Sequence, residues 1–147
     1  MLSENLKILL ATSYAFVIKA QNFHWNIEGS NFPQYHEFFE TLNREVYENA
    51  IDRTAEYIRT LEAYTPGSIA RYAELSLIPD QLKIPRAELM FAELYSDNEK
   101  ILAHLKVCYD SCEESEHYGI SNFIAERIDA HNKHQWMIRS TLKTNRE

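Results

Sequence analysis

Glycine and proline are scarce, three and four in 147 residues. Turn-rich sheets draw heavily on both, so the scarcity favours a few long uninterrupted helices. Cysteine is as sparse. Cys108 and Cys112 lie four apart within a helical pattern, a spacing poorly placed for a disulfide, and two cysteines do not make a secreted scaffold. They read as reduced, structural thiols. No apolar run approaches the roughly 20 residues that span a bilayer. The opening Met1-Leu2-Ser3-Glu4 lacks the basic segment and apolar stretch of a leader, so the expectation is a cytoplasmic chain with no membrane partner. A basic tail is also missing. The net charge is −7, Lys7 is the one basic side chain in the first ten residues, and residues 143–147 mix both signs. A phosphate-binding surface is therefore not expected.

What is present is an ordinary globular composition, 45% apolar and 25% charged, at a length that suits one domain over 1–147. Helical spacing runs through Leu6, Leu9, Leu10, Tyr14, Val17, Ile18 and Phe23, with Ser3 as the expected cap and an end near Trp25. Glu28-Gly29-Ser30-Asn31 reads as a turn, and Pro33 suits the first positions of a second helix, which continues through Ile58 and Leu61 and stops before Thr65-Pro66-Gly67. Ser68 can cap a short helix over Ile69 to Leu77. A third helix is expected from Arg86 to about Tyr118-Gly119, and a fourth from about Ile120 to Leu142, carrying Phe123, Ile124, Ile128, Trp136 and Met137. The expected fold is all-α, a four-helix bundle with a short extra helix in the long connection between helices 2 and 3.

The chemistry concentrates in His24, His36, Glu40, Asp52 and Glu56. Two imidazoles and three carboxylates form an oxygen-and-nitrogen ligand set suited to iron, manganese or zinc. His36 and Glu40 are four apart, as are Asp52 and Glu56, so each pair shares a helix face. Sixteen residues separate the pairs, about 24 Å along one axis, too far for a single metal. Two copies of this helix packed antiparallel about a two-fold axis near residues 45 to 47 would bring the His36/Glu40 end of one chain to the Asp52/Glu56 end of the other. The alternative is a set of ordinary solvated i,i+4 pairs on a charged helix.

These pieces resemble the Dps family, the miniferritins named for DNA protection during starvation. His24-Trp25-Asn26 followed by Gly29 and Asn31-Phe32 is similar to the family's opening motif, and His36 through Glu40 to its second segment. Asp52-Arg53-Thr54-Ala55-Glu56 resembles its Asp-x-x-x-Glu. Pro66-Gly67-Ser68 and Ala73-Glu74-Leu75-Ser76 look like its crossover helix, and His131-x-Lys133-His134-x-Trp136-Met137 like its last helix. The resemblance implies a ferritin-like bundle assembled as a homo-oligomer, a hollow dodecamer built from two-fold dimers. It implies oxidation of ferrous iron by peroxide or dioxygen between subunits, and storage of the ferric (Fe3+) product as mineral. His24, His36 and Glu40 would come from one subunit, Asp52 and Glu56 from its neighbour. Trp25 has two readings, an electron donor when peroxide reacts and an interface aromatic.

The family pattern has one residue fewer between the second histidine and the Asp-x-x-x-Glu. An extra residue between Thr41 and Ala50 turns everything beyond it by about 100° on a regular helix. A π-bulge is the expected remedy, since such bulges gather at functional sites; without one, Glu48 or Ile51 would fall at the ligand position. Glu113, Glu114 and Glu116 are read either as an acidic cation inlet or as a solvated helix end. His131 and His134, three apart, are expected to serve packing or surface roles rather than bind metal. The other functional class is an architectural, DNA-protecting cage with little ferroxidase activity. Twelve chains of charge −7 would repel phosphate strongly, so no DNA retardation is expected at moderate salt without bridging ions. A ferritin with its di-iron centre inside one bundle is disfavoured because repeated Glu-x-x-His pairs are absent.

Overall fold

The computed structural model describes residues 1–143. Helices α1 (Leu2–Asn26), α2 (Phe32–Val46), α3 (Asp52–Thr60), α4 (Ile69–Leu75), α5 (Ala87–Glu114) and α6 (Tyr118–Leu142) follow in order. A π-helical turn, Tyr47–Ile51, joins α2 to α3 end on, so these three pieces make one long rod. That rod, α1, α5 and α6 are the four members of the bundle. α1 packs chiefly on α2 and α5 chiefly on α6, while α4 lies across α1 in the long crossover.

The apolar stripes expected from the sequence form the core. Leu6, Leu10, Phe16, Phe23, Phe39 and Phe123 are fully enclosed, and burying each such side chain contributes about 1.5–3 kcal/mol. Phe39, one turn beyond His36, packs in tilted contact with Phe23 and Phe91 at 5.9 and 4.8 Å. This fixes the rotation of α2 about its axis. Ile18 and Trp136, counted with the apolar stripes, are instead about half exposed.

Several helix ends differ from the expected ones. Ser3 lies inside α1, whose N-cap is Met1, and it makes no capping bond. The rod stops at Thr60, five residues before the Thr65-Pro66-Gly67 breaker. Glu62 takes a left-handed φ of 64°, and the amides of Glu62 and Ala63 return to the carbonyls of Arg59 and Ile58. α5 ends in the same manner at Glu114, with Glu116 at φ 60° and the amides of Glu116 and His117 returning to Glu113 and Cys112. Both are Schellman closures with glutamate where glycine is usual. Ser68 does cap α4, accepting from the Arg71 amide at 3.2 Å. Pro33 stands in the first turn of α2 as expected.

The crossover is tied down by polar contacts. The Leu77 amide donates to Thr12 Oγ1 at 3.1 Å, Tyr14 stacks on Tyr72 at 4.9 Å, and Gln81 donates to Glu93. Beneath it, Lys19 and Asp97 form a buried ion pair at 2.8 Å between α1 and α5. Cys108 and Cys112 are free and fully buried, as expected. Burial pushes the thiols up to about 12 and about 11, helped by the neighbouring Cys112 and Glu113 respectively.

Candidate metal centre

His24 closes α1 and His36 opens α2, and the short Ile27–Asn31 connection folds them together. The two rings stack with centroids 4.0 Å apart, and Phe32 stacks on the outer face of His36 at 4.9 Å. Each imidazole is bound to the other's backbone: His24 Nδ1 donates to the His36 carbonyl at 2.7 Å, and His36 Nδ1 donates to the His24 carbonyl at 2.6 Å. A carbonyl can only accept, so both Nδ1 atoms carry the proton when the rings are neutral. Each ring therefore presents Nε2 as a bare lone pair, which is how a histidine is prepared for a divalent metal.

Glu40 lies next to this pair. Its Oε2 lies 4.0 Å from His24 Nε2, while Oε1 pairs with Arg44 Nε at 3.3 Å. Trp25, the next residue on α1, is largely exposed.

Asp52 and Glu56 lie at the far end of the rod and are not brought to the histidines of the same chain. Both are exposed, and among the described residues neither side chain makes an ion pair or hydrogen bond. Nor do any three His, Cys, Asp or Glu side chains of one chain converge on a common point among those residues.

The π-turn sets the face on which the distal pair emerges. Phe39 and Ile58 are nineteen residues apart and both fully enclosed in the core. On an uninterrupted α-helix they would diverge by about 100°, and absorbing one residue returns them to register. By the same arithmetic, Asp52 moves from about 160° away from the His36 stripe to about 60°. The expected bulge is thus present at Tyr47–Ile51, overlapping the C-terminal part of the expected interval.

His131 and His134 are buried and serve packing, within a polar network that the sequence reading did not find. Glu45 on α2 accepts two hydrogen bonds from Arg127 at 2.6 and 2.9 Å and a third from His134 Nε2 at 2.6 Å. Burial raises the Glu45 pKa, but the bonds and charges of Arg127 and His134 together outweigh it and hold the carboxyl far below the usual range. His131 is driven well below its ordinary value, by burial first and then by the Arg127 charge, so it is neutral. One signal was readable: Arg127 interrupts the apolar stripe Ile120, Phe123, Ile124, His131 at core spacing.

A ferritin-like domain family model matches residues 3–147. DNA protection during starvation protein 2 of Bacillus anthracis is 31% identical over 124 residues, covering 84% of this chain and 84% of that protein. The chain belongs to the Dps family. An uncharacterized low temperature-induced protein of a Nostoc species is also 31% identical, covering 91% of this chain and 75% of its own length. Among solved Dps structures, that of Staphylococcus aureus superposes with a TM-score of 0.93 at 26% identity, over 98% of this chain and 96% of that one. The Dps protein of Vibrio cholerae, described as a member of a broad superfamily of ferritin-like diiron-carboxylate proteins, gives 0.92 at 26% identity, over 97% and 89%. The four-helix Dps architecture expected from the sequence is the one observed. No helix among the described residues is long and apolar enough to cross a membrane.

Proposed function

We propose that this Dps-family chain binds ferrous iron at sites completed by two subunits, oxidises it with peroxide or dioxygen, and retains the ferric product as mineral inside a closed homo-oligomer. The observation that carries the proposal is the reciprocal locking of His24 and His36, whose Nδ1 atoms are taken up by each other's backbone carbonyls so that Nε2 of each ring is left for a metal, that of His24 4.0 Å from Glu40. Asp52 and Glu56 of a two-fold-related copy supply the hard anionic donors that ferric iron favours over ferrous, and so stabilise the oxidised product.

The chemistry balances without a resident cofactor. Two ferrous ions each lose one electron to one peroxide, whose O–O bond breaks; with two waters the products are ferric oxyhydroxide and four protons. Acidic side chains around the site disperse those protons to solvent. Trp25, exposed and next to His24 in the sequence, is proposed as an auxiliary electron donor.

The test is anaerobic ferrous titration, then peroxide, with near-ultraviolet absorbance followed over time for the native chain, His36→Ala and Asp52→Ala. Fast oxidation suppressed by both substitutions is the expected result. Oxidation no faster than in buffer would overturn the proposal. Names of relatives point also to DNA protection; with a charge of −7 per chain, protection by removing iron and peroxide is favoured over coating of DNA.

A further inference from the structure

Six residues climb the rod at a strict spacing of four: His36, Glu40, Arg44, Glu48, Asp52 and Glu56. The proposed iron site uses the first two and the last two, and leaves Arg44 and Glu48 between them without a role. On a regular helix each step of four drifts by about 40°, so Glu56 would stand about 200° around from His36. The π-turn at Tyr47–Ile51 removes about 100° of that drift and keeps all six on one side of the rod.

The ladder is also symmetric. His36 and Glu56 are each ten residues from Val46, Glu40 and Asp52 each six, and Arg44 and Glu48 each two. Two rods packed antiparallel about a two-fold axis at the height of Val46 therefore set Arg44 level with the partner's Glu48, once on each side of the axis. Both side chains are exposed. Although four apart in one chain, they form no ion pair with each other; Arg44 turns Nε to Glu40 Oε1 at 3.3 Å, and Glu48 has no partner among the described residues. With five donors, the guanidinium keeps its NH groups for a second carboxylate. Arg44 and Glu48 line one recess with Tyr14, Ile18 and Tyr47, and the last two are each 49% exposed. A second copy laid along this face covers that apolar rim and shields the charges from water, which strengthens both attraction and repulsion.

We propose that Arg44 and Glu48 are the register pair of the two-fold interface: each Arg44 binds the partner's Glu48, which aligns His36 with the partner's Glu56 and Glu40 with the partner's Asp52. The inference rests on the two-subunit site proposed above, and the occupant of the face is a second copy of this chain. Shifting the register by one step of the ladder sets Arg44 against its own copy in one direction and Glu48 against its own copy in the other. Like charges meeting on the axis thus exclude the neighbouring registers, in which the metal ligands would be mismatched.

The test is charge reversal read by sedimentation and native mass spectrometry, with no iron present. Arg44→Glu and Glu48→Arg each place like charges across the axis twice. Each should raise the concentration at which half of the assembly dissociates by about tenfold or more, with helical circular dichroism unchanged. In a dimer that combines the two single variants, glutamate again faces arginine at both positions. Mixing should therefore restore association, and the dimers should be mixed rather than self-paired. Pairing within one chain would not be mended by mixing, because one variant carries two acidic residues at these positions and the other two basic ones. Reversals that dissociate no more readily than the native chain, or a mixture no tighter than either variant alone, would overturn the proposal. If a reversal does not fold alone, Arg44→Gln and Glu48→Gln take its place: the double variant should associate no more weakly than either single one, and additive losses would count against the pair. Because iron is left out, an unreactive chain that shows the mixing pattern would sink only the oxidation proposal, and a reactive chain that lacks it would sink only the register pair.

Discussion

His131 and His104 are neutral for the same reason: burial in the bundle disfavours the imidazolium. For His104 this outweighs its bond to the Asn5 carbonyl at 2.8 Å. Their folded pKa values lie below the ordinary value near 6.5, so on acidification the unfolded chain takes up protons before the folded one does. Stability is therefore full above about pH 7 and declines as pH falls through 6.5, by up to about 1.4 kcal/mol per pH unit for each histidine. Below about pH 4.5 Glu45, held low in the folded state, adds a further loss of the same sign. Melting temperatures between pH 7.5 and 5.5 should fall steadily, and His131→Gln should flatten the slope. A native chain with a flat profile across that interval would contradict the burial argument. Such residues were only half legible in the sequence. Ligand types and i,i+4 spacing identified His24, His36, Glu40, Asp52 and Glu56 as candidates, because helical periodicity is local. Glu45, Asn98 and Arg127 meet across three helices, and only tertiary packing brings them together.

At the scale of elements, helix interiors followed the apolar pattern, while their ends did not. Pro66-Gly67 looked like the stop for the rod, but the chain had already closed at Glu62, where a left-handed glutamate does what glycine does more cheaply. Steric conflict in that conformation costs an L-residue about 1–2 kcal/mol, part of which glycine returns as extra freedom of the unfolded chain. Glu62→Gly and Glu116→Gly should each stabilise by about 0.5–1 kcal/mol in urea unfolding. Loss of stability in both would mean that those glutamates make contacts outweighing the strain. The π-turn is the element whose existence the sequence did foreshadow, through one surplus residue between the ligand pairs. Deleting exposed Asn49 should convert it to a regular α-turn without rotating α3, leaving helicity and ferrous oxidation close to native. Deleting Glu37, in the regular part of α2, should rotate the flanking segments by about 100° against each other and abolish cooperative melting.

For the whole molecule, the distance between the proposed ligand pairs makes assembly part of the proposed chemistry. A chain lacking His24 and His36 and a chain lacking Asp52 and Glu56 each have half of every site. Co-expressed and randomly paired, half of their two-fold dimers should be mixed, each with one intact site and one doubly damaged site, restoring about a quarter of native oxidation. Either variant alone should stay near the buffer rate. No recovery in a verified mixed assembly would place the site within one chain. The bundle was legible from composition and periodicity, since few turns and four long apolar stripes leave few other arrangements. The completed site was legible only as a geometric demand that one chain cannot meet.

The two thiols of α5 acquire a new meaning beside that chemistry. Peroxide attacks sulfur as thiolate, and a thiol pushed up to about 12 is ionised in only about one chain in a hundred thousand at neutral pH. A protein proposed to meet its oxidant at every turnover keeps its most oxidisable atoms protonated and out of reach. The packing that holds α5 against α1 thereby also gives the protein chemical endurance.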